Sequence, residues 1–180
     1  TIISYRQEAA AFHMEAFQKL SDDEIFRVFG HPAFLYYHLK GIMLCWGMDE
    51  SFQAIEERYQ RLISGQAVVP LKKRFCQRFA DLRKGTDKLC VFCCGQYGKA
   101  VQRALMDFGI EVDFFSDNNP QFWGKRINGC RCISPEDLRP LRERTLAVAA
   151  LNTPQPVLNQ LTDMGFSHIV TKQELESIPY

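Results

Sequence analysis

The residues with the clearest chemical potential stand in one short stretch, Cys93-Cys94-Gly95-Gln96-Tyr97-Gly98. Set against the dinucleotide pattern G-x-G-x-x-G, it reads C-x-G-x-x-G. Gly95 lets the backbone approach a diphosphate, and Gly98 lets the following helix pack closely on the preceding strand. The first-turn amides of that helix then offer donors and a partial positive charge to phosphate. Asp117 lies 22 residues beyond Gly95, where an acid accepts ribose hydroxyls. Cys93 occupies the place of the first, turn-permitting glycine. Asn118 and Asn119 follow the acid and either read a base or sugar edge or form a turn. Asn152-Thr153-Pro154 follows a later strand at the same carboxyl edge, where open α/β sheets bind ligands, so Asn152 is expected as a second contact.

Other constellations give way to simpler readings. Tyr36 and Lys40 have the Y-x-x-x-K spacing of a tyrosine proton donor, but they precede the glycine loop by more than fifty residues and read as coincidence on an amphipathic helix. Cys90, Cys93, Cys130 and Cys132 would sum to four zinc ligands, yet alternation along a strand sends Cys90 and Cys93 to opposite faces, so core thiols and no metal are expected. His31 precedes a proline at a helix start and reads as a surface or capping residue; none of the four histidines is placed as a general base. The aromatics Phe12, Phe26, Phe29, Phe34, Phe52, Phe75 and Phe79 read as helical core rather than a base-stacking platform, since no basic groove accompanies them. Lys72-Lys73-Arg74 reads as a solvated face.

Two textures position these residues. Up to about residue 84 the pattern is helical: Phe12, Ala16 and Leu20 share a face, Ser21-Asp22-Asp23-Glu24 is a capping box, and Leu71, Phe75 and Phe79 form one stripe. From residue 87 strands alternate with helices. Strands are expected at 88–94, 111–116, 131–133, 145–151 and 167–170, with helices at 97–108, after Ser134-Pro135 and from Thr153-Pro154. This alternation predicts an α/β fold: an α-helical N-terminal segment over 1–85, then a five-stranded parallel sheet of order 3-2-1-4-5 over 86–180.

The 180 residues carry 22 basic and 21 acidic side chains, a formal charge of +1, and 46% hydrophobic residues. Disorder, collagen-like fibres and a disulfide-stapled miniprotein are excluded, and no global field draws the chain to nucleic acid or an anionic membrane. Seven cysteines, three of them within the apolar run at 90–94, suit a reducing, cytoplasmic compartment. The first twenty residues lack the apolar core of a signal peptide. Residues 33–48 are the nearest approach to a membrane span, but they are short and hold His38 and Lys40. The chain opens on Thr1, which reads as an excised domain or processed chain, with a larger parent chain or a homo-oligomer engaging the helical segment.

Val91-Phe92-Cys93-Cys94-Gly95-Gln96-Tyr97-Gly98, Phe108-Gly109-Ile110-Glu111-Val112, Phe115-Ser116-Asp117-Asn118-Asn119-Pro120, Trp123-Gly124-Lys125-Arg126-Ile127-Asn128-Gly129 and Ile133-Ser134-Pro135-Glu136-Asp137-Leu138 together resemble a bacterial Rossmann-like module. Such modules are appended to sugar-modifying enzymes, glycosyltransferases and small-molecule methyltransferases. The stretch is also similar to the nucleotide-sugar-binding N-terminal domain of sugar acyltransferases. The resemblance covers roughly residues 87–178. It implies that Gly95, Gln96, Tyr97, Gly98 and Asp117 line the ligand site. The expected function is a binding module for a nicotinamide dinucleotide, NAD(P), or a nucleotide-sugar in a sugar or cell-surface polysaccharide pathway. The alternatives are a small NAD-dependent oxidoreductase and an interaction or scaffold module that has lost its ligand. No acid–base pair is visible, and the residues name no reaction, base or sugar.

Overall fold

Strand β1 (Lys88–Phe92) is Leu-Cys-Val-Phe after its first residue, and those four are buried whichever way they point. Continuous apolar runs of this kind belong to the middle of a parallel sheet covered on both faces. The computed structural model, which describes residues 2–29, 31–33, 35–36, 39–40, 49–66 and 68–177, places β1 there. It pairs in parallel with β2 (Phe114–Ser116) on one side and with β5 (Thr145–Ala149), itself wholly buried, on the other. Beyond β2 lie β4 (Cys130–Ile133), parallel, and β3 (Arg126–Ile127), antiparallel; beyond β5 lies β6 (Ile169–Thr171), parallel.

The protein is therefore α/β, with eight α-helices given bounds among the described residues and a mostly parallel six-stranded sheet of order β3-β4-β2-β1-β5-β6. The expected five-stranded order is corrected by β3, a stretch read from sequence as loop. Asn128 (φ 48°) and Gly129 (φ 82°) close the β3–β4 hairpin, the residue pair whose left-handed conformations match a type I′ turn. Expected strand 111–116 shortens to Phe114–Ser116, because Asp113 turns its carboxylate back to the Leu89 amide (2.9 Å) and to Lys88 Nζ (2.8 Å).

Helices α1 (Ile2–Lys19), α2 (Asp22–Phe29), α3 (Asp49–Ser64) and α4 (Val68–Leu82) precede the sheet. Helical residues also occur at 32–33, 35–36 and 39–40. The capping box is made: the Ser21 amide donates to Glu24 Oε2 (2.8 Å) and the Glu24 amide to Ser21 Oγ (3.3 Å). Leu71, Phe75 and Phe79 form the buried stripe of α4. On α1 the expected face is corrected: Phe12 is 64% exposed, and Phe17 is the residue driven inward. Phe29, Phe34 and Phe52 lie outside the described side chains, as do His38 and most of 33–48. No helix among the described residues is long and apolar enough to cross a membrane.

Helix α5 (Gln96–Asp107) connects β1 to β2 on one face of the sheet; α6 (Pro135–Leu138) and α7 (Gln155–Asp163) cover the other, and α8 (Lys172–Glu176) follows β6. The first face packs Leu89, Val91, Phe115, Cys132 and Val148 against α5 and the N-terminal helices in one core. The second packs Cys90, Phe92, Ala147 and Ala149 against Leu138, Val157 and Leu161. Phe75 meets Phe108 edge-on (ring centroids 5.1 Å apart), and Tyr59 hydrogen-bonds Asp107, which Arg103 also holds at 2.9 Å. Of the two readings of His31, surface or capping residue, the capping one holds and the surface one is corrected: the fully buried ring accepts the Ala33 amide on Nδ1 (3.0 Å) and lies 4.4 Å from Phe108.

Candidate functional site

Every parallel strand ends at one edge, so the loops after β1, β2, β4, β5 and β6 meet there. The chain leaves β1 toward β2 and later returns to β5 on the opposite side of β1. The crevice between those two departures is where open α/β sheets take ligands. The Gly95 loop lies at its rim.

Two features give this loop its shape. Cys93 has φ +90°, a left-handed conformation that glycine adopts freely and a side chain resists. Its amide donates to the Ser116 carbonyl at 2.7 Å, which holds the turn against β2. Gly98, in the first turn of α5, is pressed on the carbonyl this turn presents: a Cβ at Gly98 would stand 1.9 Å from the Cys93 oxygen and 3.4 Å from the Phe115 ring. Gly95 differs. It is the N-cap of α5 with φ −70°, supplies no capping side chain, and a Cβ there would meet nothing within 4 Å among the described residues. The backbone is bare on the side that faces open space. We expect Cys93→Gly to raise stability by about 1 kcal/mol, the relieved strain exceeding the lost thiol packing. A thermal melt checks this, and Cys93→Val should shift Tm the opposite way.

The expected contact side chains stand at this edge, and of these Asn152 and Tyr97 bond to each other. Asp117 accepts the Cys94 amide on Oδ2 (2.6 Å) and the Asn119 amide on Oδ1 (2.9 Å), so its carboxylate ties the end of β2 to the glycine loop. Asn118 exchanges two amide hydrogen bonds with Gln160 of α7, both 2.8 Å. Asn152 Nδ2 donates to the Tyr97 hydroxyl at 2.5 Å, bridging the loops after β5 and β1. Asn119 caps the turn at Pro120–Phe122 by accepting the Gln121 amide, so its turn role is realised. Gln96 opens α5 and is exposed. Ser116, at the end of β2, has a fully buried hydroxyl with no hydrogen-bond partner among the described residues.

Gln160, Lys172 and Gln173 join the site without having been singled out. Lys172 Nζ lies 5.1 Å from the Tyr97 ring centroid and 2.7 Å from Glu176, and Gln173 donates to the Leu151 and Asn152 carbonyls. The sequence did carry a signal for two of them: Thr171-Lys172-Gln173-Glu174 is a capping box, which starts α8 at the carboxyl end of β6. A cleft of about 320 Å³ between α6 and α7, lined by Glu136, Arg139, Asn159, Gln160 and Asp163, borders the Asn118–Gln160 pair.

Among the described histidines, His168 lies at the opposite end of the sheet, its carbonyl accepting the Ala147 amide and its ring near Gly85. Tyr36 hydrogen-bonds Glu56 and stacks on Tyr59, with Lys40 5.7 Å from its ring centroid, inside the helical core. Cys90 and Cys93 both pack with the α7 face, because the left-handed turn at Cys93 breaks strand alternation; Cys130 and Cys132 pack with the other. Among the described residues no three His, Cys, Asp or Glu side chains are grouped to hold a metal ion. Burial and the Asp117 carboxylate push the Cys93 thiol up to about 12, so it is a weak nucleophile at neutral pH.

The fold and loop together define an α/β protein with a glycine-bearing strand–turn–helix at the carboxyl edge of its sheet. No protein-family model, curated protein or solved structure matches the chain.

Proposed function

We propose that this chain is a nucleotide-binding module built on a Rossmann-like sheet. It takes a nicotinamide dinucleotide or a nucleotide-activated sugar between the loops after β1 and β5. The observation that carries the reading is the fit of Gly98 against the Cys93 carbonyl, beside a bare Gly95, at the point where strand order reverses. A phosphate seated over Gly95 accepts from the first turn of α5 and gains from the helix dipole. Each Asp117 oxygen accepts one backbone amide and keeps a further lone pair, which suits ribose hydroxyls as donors. The resemblance of residues 87–178 to modules of bacterial sugar-modifying enzymes supports placing the ligand in a sugar or surface-polysaccharide pathway.

A second reading, a scaffold without ligand, draws on the same edge: Tyr97, Asn118 and Asn152 are already satisfied by protein partners. A thermal-shift panel of NAD, NADP, S-adenosylmethionine and UDP- and GDP-sugars separates the two. A bound nucleotide at about 100 times its Kd stabilises by roughly 2.7 kcal/mol, a Tm rise of about 5 to 10 °C for this size. One class giving that rise supports the binding module and names its ligand. No rise across the panel favours the scaffold.

A further inference from the structure

Cys94, the residue before Gly95, and Cys132, in β4, reach toward each other past β2, and their sulfurs stand 3.2 Å apart. Two carbons rest at about 3.5–4.0 Å, and sulfur is the larger atom. Cys94 Sγ donates a hydrogen bond to Cys132 Sγ, which draws the two thiols closer than packing alone does. Both side chains belong to the same core face, and each residue is at most 1% exposed. Cys130, on the same face, points instead to the Val112 carbonyl (3.5 Å), while Cys90 and Cys93 pack with the opposite face.

We infer that Cys94 and Cys132 are a site of reversible disulfide formation that tethers the Gly95 loop to β4. Bringing the sulfurs from 3.2 Å to a bond of about 2.05 Å takes roughly 1 Å of movement between them. With hydrogen peroxide as oxidant, one thiol takes an oxygen atom, giving a sulfenic acid and water. The second sulfur then attacks the first: the S–S bond forms, the S–O bond breaks and a second water leaves. A dithiol reductant reverses the bond. Burial pushes both thiols up, which keeps the thiolate scarce and the reduced pair durable at neutral pH. The inference stands whether or not the loop holds a nucleotide.

The test is peroxide treatment of the folded protein at pH 8.5, where the thiolate fraction is larger, followed by intact mass and non-reducing tryptic mapping. The expected result is loss of two hydrogen atoms and a link between peptides 89–99 and 132–142, placed by fragmentation on Cys94 and Cys132. Closing this 38-residue separation should also raise Tm by about 5 to 10 °C, reversed by dithiothreitol. Cys94→Ala and Cys132→Ala should each abolish the link. Because the mapping is made on wild-type protein, it does not depend on either variant folding. Added oxygen without a link, a link joining other cysteines, or no change in mass overturns the inference.

Discussion

Gly98→Ala should lower the unfolding free energy by about 3 kcal/mol and Tm by about 8 °C, although alanine is the better helix former. The added Cβ falls 1.9 Å from the Cys93 carbonyl oxygen and 3.0 Å from its carbon. These are backbone atoms with little room to retreat. The Cys93 amide is bonded to Ser116, the Cys94 amide to Asp117, and the preceding Phe92 carbonyl accepts the Ala150 amide at 3.1 Å. Relief requires α5 to lift from the sheet or the turn to give up these bonds. Gly95→Ala, three residues earlier and with open space around its Cβ, should cost no more than about 1 kcal/mol, the difference between glycine and alanine at an N-cap. Urea unfolding of both variants reads the contrast. A neutral or stabilising Gly98→Ala means that helix and turn are not in the contact described.

Acid should destabilise the protein through His31. Burial, with a smaller contribution from the nearby Arg103 charge, pushes this imidazole down to about 3, against an ordinary value near 6.5. Above about pH 6.5 both folded and unfolded chains hold it neutral, and its contribution is fully present. Below that, the unfolded chain takes up a proton that the folded chain refuses. Stability is then lost at about 1.4 kcal/mol per pH unit until pH approaches 3. By pH 4.5 the loss from this residue is roughly 2 to 3 kcal/mol. His31→Asn retains an acceptor for the Ala33 amide and does not titrate. Unfolding free energies at pH 7 and 4.5 should therefore fall less for His31→Asn than for wild type, carboxylate titration being common to both. Equal losses would show that His31 takes up its proton while folded.

What could be read from sequence was local. The capping box at Ser21–Glu24, the Leu71–Phe75–Phe79 stripe and the apolar run of β1 are set by neighbours within a turn or a strand, and they stand where spacing puts them. The glycine loop was legible for the same reason. The Asn128-Gly129 pair was an equally local signal for a hairpin, and reading it as loop removed β3 from the sheet. Phe12 shows a different failure: several faces of α1 offer apolar residues, and which turns inward depends on the helices that cover Phe17. The pairings that finish the candidate site join residues 38 to 55 positions apart: Cys94 with Cys132, Asn118 with Gln160, and Asn152 with Tyr97. Their contact is a product of strand order, which brings separate loops to one edge, and no local pattern records it.

The central claim, an anion-accepting backbone at Gly95, is tested most directly by comparing wild type with Gly95→Asp. The φ of −70° suits any residue, and aspartate is a good N-cap, so the variant should keep wild-type stability within about 0.5 kcal/mol. Its carboxylate would fill the open space over the loop and repel a phosphate there. Titration calorimetry with whichever nucleotide of the panel binds wild type should show affinity reduced by about a hundredfold or more in Gly95→Asp. Equal affinity in the two proteins, or no nucleotide binding by wild type, would contradict the account.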